Sequence, residues 1–224
     1  MVPYRQAEAL LRRYNVPLAA ARLVQSPHDA VAAAAEIGGP VALKAISTQV
    51  THKSDAGLLR LGLDGDEAVA AAARQLLDVA SSADPDARSL EGLLVQAMAP
   101  PAVEMIAGIS QDAQFGPVLA LGSGGILVEL LDDVALRLPP LSLAQARRMI
   151  TATRSWPLLQ GFRGQPPRDV AALAELMVNL SRLAQAESQR LLSLDLNPVM
   201  VLPRGKGVQV VDMRLAVRPD RPSP

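Results

Sequence analysis

The sequence predicts an α+β fold. Helical and strand-like segments alternate without a regular strand–helix–strand rhythm, and several strand-like runs are joined by short turns, which favours antiparallel pairing over a doubly wound parallel sheet. The stretch "GSGG" at 122–125 lacks the GxGxxG spacing of a dinucleotide fold, and no GxxxxGK(S/T) phosphate loop occurs. At 224 residues and 50% hydrophobic, the chain is long enough for one large domain or two small subdomains sharing a core.

Each element follows from local pattern. Residues 3–14 place Ala7, Leu10, Leu11 and Tyr14 at helical spacing behind Pro3, which suits a first turn. Ser26–Pro27 starts a helix over "HDAVAAAAEIG", and Gly38–Gly39 stops it before the strand "PVALKAIS". A polar loop, "TQVTHKSDAG", leads to the strand "LLRLGL". Asp64 to Asp66 open an alanine-rich helix reaching about residue 80, and "SSADPDARS" is an exposed connection. "LEGLLVQAMA" is a strand closed by Pro100 and Pro101. "VEMIAGIS" and "PVLALGSG" form a pair across "QDAQFG". Two helices follow, one begun by Ser142 ("LSLAQARRMITAT") and one after Pro167 ("RDVAALAELMVNLSRLAQA"). The strand "SLDLNPVMVLP", a turn at "PRGKG", the strand "VQVVDMRLAV" and a loose Pro-rich tail at 219–224 complete the chain.

Composition removes several function classes. The 22 basic residues balance 22 acidic ones, and none of the basic runs is interleaved with aromatic residues, so a nucleic-acid groove is not expected. Cysteine is absent, which excludes disulfides, thiolate zinc sites and cysteine nucleophiles and suits a reducing cytoplasm. No apolar run approaches the roughly 20 residues of a membrane helix, and the N-terminus has no signal-peptide pattern. A cytoplasmic protein without membrane association is expected.

The final hairpin raises the first chemical question. Asp195 and Asn197 interrupt an apolar run, and burying such groups without partners costs roughly 2–7 kcal/mol for an amide alone. With the turn centred on Arg204 and Gly205, Asn197 faces Asp212, Asp195 faces Arg214 and Val199 faces Val210, all on one side of the pair. An amide oxygen beside a carboxylate supplies hard ligands of the kind Mg²⁺ accepts when substrate phosphates complete its octahedron. The other reading is a cross-strand hydrogen bond with an ion pair that sets register. Lys44 poses a parallel question, since it shares a strand face with Ala42 and Ile46. Either it snorkels at a strand edge or it meets an anion such as phosphate. The loop beyond it carries His52, Lys53, Ser54 and Asp55 before Gly57, a set of donors able to cover a phosphate.

Taken in order, "GGPVALKAISTQVTHKSDAGLLRLGL", "LLVQAMAPPAVEMIAGISQDAQFGPVLALGSGGILVELLDDVALRLPPL" and "LDLNPVMVLPRGKGVQVVDMRL" resemble the ATP-grasp domain of NDP-forming acyl-CoA synthetases. This is the β part of ADP-forming acetyl-CoA synthetase, related to the succinyl-CoA synthetase β subunit. The resemblance implies an ATP-grasp fold over 1–218, in which two α+β subdomains hold a nucleotide between them. The smaller lobe would span about 22–92, and the larger lobe 1–21 with 93–218. ATP or ADP and Mg²⁺ are the implied cofactors. Lys44 matches the family lysine on the nucleotide phosphates. "VQAM" matches the segment whose backbone reads the adenine edge, at Gln96, Ala97 and Met98. Glu104 matches the acidic residue at the ribose, and Asn197 with Asp212 matches the Mg²⁺ ligands. His52 matches the loop histidine that carries a phosphoryl group between partner and nucleotide. Asp195 matches an acidic residue near the phosphohistidine, and Glu129 falls at a family acidic position of unassigned role.

The implied reaction converts acyl-CoA, ADP and phosphate reversibly into carboxylic acid, CoA and ATP through an acyl phosphate and a phosphohistidine. The chain carries no CoA-binding domain and no partner histidine domain, so it is expected to act with an α subunit or as one domain of a longer polypeptide. Relatives usually read KSDVGGV where this chain has "KSDAGLL", so Leu58 replaces a glycine in a phosphate-covering loop. That substitution leaves a second reading: a catalytically degenerate nucleotide-sensing module of the kind fused to protein lysine acetyltransferases. A carboxylate–amine ligase fits less well, because such enzymes normally carry an additional N-terminal domain.

Overall fold

A computed structural model describes residues 1–47, 57–83, 89–125 and 133–218. In chain order the elements are α1 (Tyr4–Arg13), β1 (Ala21–Val24), α2 (Pro27–Ile37), β2 (Val41–Ser47), β3 (Leu59–Leu63), α3 (Asp66–Ala83), β4 (Leu90–Ala97), β5 (Val103–Asp112), β6 (Gly116–Ser123) and β7 (Val134–Arg137). They continue with α4 (Leu143–Thr151), α5 (Trp156–Gln160), α6 (Val170–Ala186), β8 (Leu191–Val201), β9 (Val208–Val210) and β10 (Met213–Val217). The chain divides into two compact units, one of Ala19–Met98 and one of Met1–Leu18 with Ala99–Pro224.

In the Ala19–Met98 unit, four strands lie in the order β1-β4-β2-β3, with every neighbouring pair antiparallel. Helix α2 starts where Ser26 Oγ accepts the Asp29 N–H at 3.1 Å, and it stops at Gly38, whose φ of 76° suits a residue without Cβ. The core joins Ala30 and Ala33 of α2, Val69, Ala73 and Leu76 of α3, and the odd-numbered strand residues Val41, Leu43, Ala45, Leu93 and Val95. Small alanine side chains let both helices approach the sheet closely, which is how a core with few aromatic residues fills. The even-numbered residues, including Lys44 and Gln96, project from the other sheet face.

Leu58 corrects a sequence-based concern. Its side chain is 1% exposed and belongs to this core, and its carbonyl accepts the Ala45 N–H at 3.0 Å. The left-handed backbone turn is carried by Gly57 (φ 69°), while Leu58 is not among the described residues with positive φ. The position therefore places no demand for glycine on this chain. Leu58→Ala is expected to lower stability by about 2–5 kcal/mol, and Leu58→Gly by roughly 1 kcal/mol more, read as shifts of the urea midpoint. A midpoint unchanged in both variants would contradict the core assignment.

In the second unit, β10-β8-β5-β6-β7 form one antiparallel sheet, with β9 also pairing with β8. The β5–β6 hairpin closes as Asp112 Oδ1 accepts the Gln114 and Phe115 N–H groups at 2.8 and 2.9 Å. Helix α4 opens with a reciprocal cap: Ser142 Oγ accepts the Gln145 N–H while Gln145 Oε1 accepts the Ser142 N–H at 2.8 Å. The apolar stripes of α4 and α6, including Met149, Ile150, Leu176 and Leu180, pack with Met105, Ala107, Leu119, Leu121, Leu194 and Leu196 of the sheet. Helix α1 joins the same core through Ala7 and Leu11, and the Val2 N–H donates to the Leu215 carbonyl of β10 at 2.8 Å.

Three short elements, β1, β7 and α5, were not predicted, and one expected strand is broken. The run "VQVVDMRLAV" forms β9 and β10 with Val211 and Asp212 between them, opposite Asn197 and Pro198. Proline has no N–H to give the ladder, so regular pairing lapses there. Among the described residues no helix is long and apolar enough to cross a membrane.

Candidate functional site

The C-terminal hairpin has the expected register. Arg214 pairs with Asp195 and Val210 with Val199. Between these pairs the Asn197 N–H donates to the Asp212 carbonyl, and the Val211 N–H donates to the Pro198 carbonyl, both at 3.2 Å. The other edge of β8 shows why the polar residues are not core residues. Along β5, Met105 pairs with Val199 but Ala107 pairs with Leu196, so one extra β8 residue is accommodated at Asn197–Pro198. Leu194 and Leu196 before this bulge are buried in the core, as are Val199 and Val201 after it. Asn197 is exposed and Asp195 half-buried. Val199 therefore does not share a face with Asn197, as strict alternation predicted; the bulge shifts the phase and returns the chain to the core.

Asn197 and Asp212 are joined through their backbones on a bulged strand pair, so the sequence positions of an amide and a carboxylate lie opposite each other. Asp212 Oδ1 accepts the Met213 N–H at 3.0 Å, which fixes the carboxylate against its own backbone. Such a donor set fits Mg²⁺, which takes one or two protein oxygens and completes its shell with phosphates and water. Among the described residues no group of three or more His, Cys, Asp or Glu side chains is placed to hold a metal. Asp195 is not simply neutralised by Arg214. Burial pushes its carboxyl above the usual range, Arg214 offsets part of that shift, and the Asp212 charge adds to it. On α1, Tyr4 is held protonated chiefly by burial, with Glu8 and then Asp212 contributing against Arg12.

Lys44 does not reach a strand edge. It is 6% exposed, and its ammonium donates to Gln96 Oε1 at 2.8 Å; Gln96 is itself buried. A neutral amide holds the lysine while leaving its charge uncancelled by that contact. Gln96 thus acts here through its side chain, a function hidden from a reading of its backbone. The Ala97 and Met98 N–H groups donate to the Ala20 and Pro40 carbonyls at 2.9 and 3.3 Å.

Glu104 stands on β5, paired with Met200, and its carbonyl accepts the Gly124 N–H at 2.9 Å. A Cβ on Gly124 would come within 2.8 Å of Glu104 backbone, and one on Gly125 (φ 62°) within 2.8 Å of Glu104 Oε2. Gly124 and Gly125 of "GSGG" thus make room for Glu104, and Gly122 for the Asp133 backbone, roles the failed GxGxxG match does not suggest. Beside them Ser123 Oγ donates to Asp133 Oδ2 at 2.6 Å and bonds Ser155 Oγ, while Asp133 Oδ1 accepts the Arg154 N–H at 2.8 Å. His52 and Glu129 lie outside the described residues.

A model of the ATP-grasp domain family matches residues 2–217, so the chain belongs to the ATP-grasp family. Within it, the chain is 36% identical over 218 residues to the β subunit of an ADP-forming acetate–CoA ligase (form II) of Pyrococcus furiosus, covering 97% of this chain and 92% of that one. It is 36% identical over 212 residues to the ADP-forming 4-hydroxybutyrate–CoA ligase of Nitrosopumilus maritimus, covering 95% of this chain but 30% of that longer one. Among solved structures it matches acetyl-coenzyme A synthetase 1 of Ca. Korarchaeum cryptofilum with a TM-score of 0.82 and 37% identity, covering 97% of this chain and 92% of that one. That structure holds coenzyme A and Mg-AMPPCP, with its phosphohistidine segment pointing towards the nucleotide binding site.

Proposed function

We propose that this chain is the nucleotide-binding and phosphoryl-transfer component of an ADP-forming acyl-CoA synthetase, acting with an α component that supplies the CoA site. The reading is supported by relationship to ADP-forming CoA ligases and by the bulged hairpin, whose opposed backbone positions Asn197 and Asp212 carry hard oxygen donors. When bound, Mg²⁺ supplies charge neutralisation for the nucleotide phosphates. Lys44, oriented by Gln96, binds phosphate oxygens as a point charge. Glu104 accepts from the ribose hydroxyls, and the 96–98 segment lies along the adenine. His52, as a neutral imidazole, takes the phosphoryl group from a phosphorylated group of the α component, which leaves as the new N–P bond forms. It then yields the phosphoryl group to a terminal phosphate oxygen of ADP with its own imidazole as leaving group, while Asp195 orients that imidazole. Alignment and charge neutralisation account for most of the rate in such transfers.

The lysine acetyltransferase-associated sensing reading finds no support among the relatives, and Leu58, which motivated it, is a buried core residue in this chain. To test the proposal, the chain is mixed with its α component, acyl-CoA, phosphate and Mg·ADP, and ATP is followed by luciferase. ATP that requires both components is the expected result. ADP binding by the chain without ATP formation in the complete mixture would overturn the catalytic assignment and favour a sensor.

A further inference from the structure

A second site lies in the larger unit, at the end of the helical layer. Helices α4, α5 and the start of α6, with the turn after β8, border a half-open cavity of about 410 Å³ lined by Arg147, Trp156, Gln160, Arg168, Asp169 and Arg204 among others. Three arginines and one aspartate are thus among its lining residues, and the charge of Arg204 acts on the Asp169 carboxylate. That carboxylate is already committed: Asp169 Oδ1 accepts the Ala172 N–H at 3.1 Å, and Oδ2 accepts the Gly205 and Gly207 N–H groups, each at 2.9 Å.

Arg168 is the anomaly. It is 7% exposed, its Nη1 donates to the Pro101 carbonyl at 3.3 Å, and its buried Nε has no hydrogen-bond partner. Among the described residues no salt bridge joins it to a carboxylate. A buried lysine can shed its proton, but a guanidinium stays charged at any physiological pH, so an unpaired one is costly unless an anion offsets it. Arg147 and Arg204 are exposed and line the same cavity as Arg168, so its lining carries more basic than acidic residues. Trp156 and Leu159 add an apolar wall. The volume suits a small molecule.

We propose that this cavity binds a small organic oxyanion, a carboxylate or phosphate attached to a compact apolar body, with the oxyanion on Arg147, Arg168 and Arg204 and the apolar part against Trp156. The site is separate from the residues assigned to nucleotide and does not depend on that assignment. Arg204 lies seven residues along the chain from Asn197, and the cavity is bordered by helices that pack on the face of the sheet from which Asp195 and Asn197 turn away.

Trp156 is the single tryptophan of the chain, so its fluorescence reports this cavity alone. Phenyl phosphate, benzoate and neutral benzamide are titrated against the whole chain at constant ionic strength, with Arg147→Ala, Arg204→Ala and Asn197→Ala in parallel. Saturable responses to one or both anions and none to benzamide are expected, and which anion responds identifies the headgroup. Each arginine variant is expected to bind about tenfold or more weakly, since a charge-assisted bond is lost; Asn197→Ala is expected to bind as before. No saturable response, an equal response to benzamide, indifference to both arginine changes, or loss in Asn197→Ala would overturn the proposal.

Discussion

Replacing His52 by alanine is expected to reduce ATP formation to background while leaving ADP binding in place. The chain has two histidines, and they are not equivalent. His28 is the second residue of α2, with a side chain 93% exposed and 3.7 Å from the Asp29 carboxylate, where it serves as a solvated surface group. His52 belongs to the polar stretch "THKSD" that continues beyond β2, the strand carrying Lys44. A covalent relay through imidazole has no substitute in alanine, so the loss is of turnover and not of affinity. With [γ-³²P]ATP and Mg²⁺ the wild type should acquire an acid-labile, alkali-stable label, which His28→Ala retains and His52→Ala lacks. Equal labelling of the two variants would remove His52 from the reaction.

Changing Asp212 to asparagine should lower the rate of ATP formation by more than the roughly 10–100-fold typical for loss of an outer partner of a metal site. The carboxylate provides the formal negative charge of the proposed ligand pair, and Asn197 contributes a neutral oxygen. The same change should relax Asp195, whose carboxyl is raised first by burial and further by the Asp212 charge. If the Asn197–Asp212 pair only sets hairpin register, the variant should lose stability without a selective loss of rate. An unfolding free energy from urea titration within about 1 kcal/mol of wild type, together with the rate loss, distinguishes metal binding from a register role.

Much of this was legible because the hairpin obeys short-range rules. The turn at Arg204–Gly205 sets the register in which Asp195 pairs with Arg214, while Asn197 and Asp212 are joined by a backbone hydrogen bond outside the regular ladder. Period-two alternation failed at one place, Asn197–Pro198, because a bulge depends on the neighbouring strand β5 and leaves no trace in β8 read alone. Lys44 was marked by being charged on an apolar strand face, but its partner Gln96 is 52 residues away and becomes visible only when β2 and β4 pair. Glu104 likewise gained its glycine neighbours through the β5–β6 hairpin and the turn after it. Leu58 stands where relatives carry glycine, and its place in the core with residues of two alanine-rich helices depends on tertiary packing that the loop sequence alone does not show. The arginine cavity gathers residues from 147 to 204 on separate elements and has no local signature.

The proposed role of Asn197 and Asp212 is to hold the magnesium ion that accompanies bound nucleotide. Isothermal titration calorimetry of ADP with and without Mg²⁺, on wild type, Asn197→Ala, Asp212→Asn and the double variant, tests it directly. The wild type should bind ADP more tightly with Mg²⁺; both single variants should lose most of that gain, and the double variant little beyond them, because the two residues serve one ion. Full magnesium dependence retained in Asp212→Asn and Asn197→Ala would contradict the account.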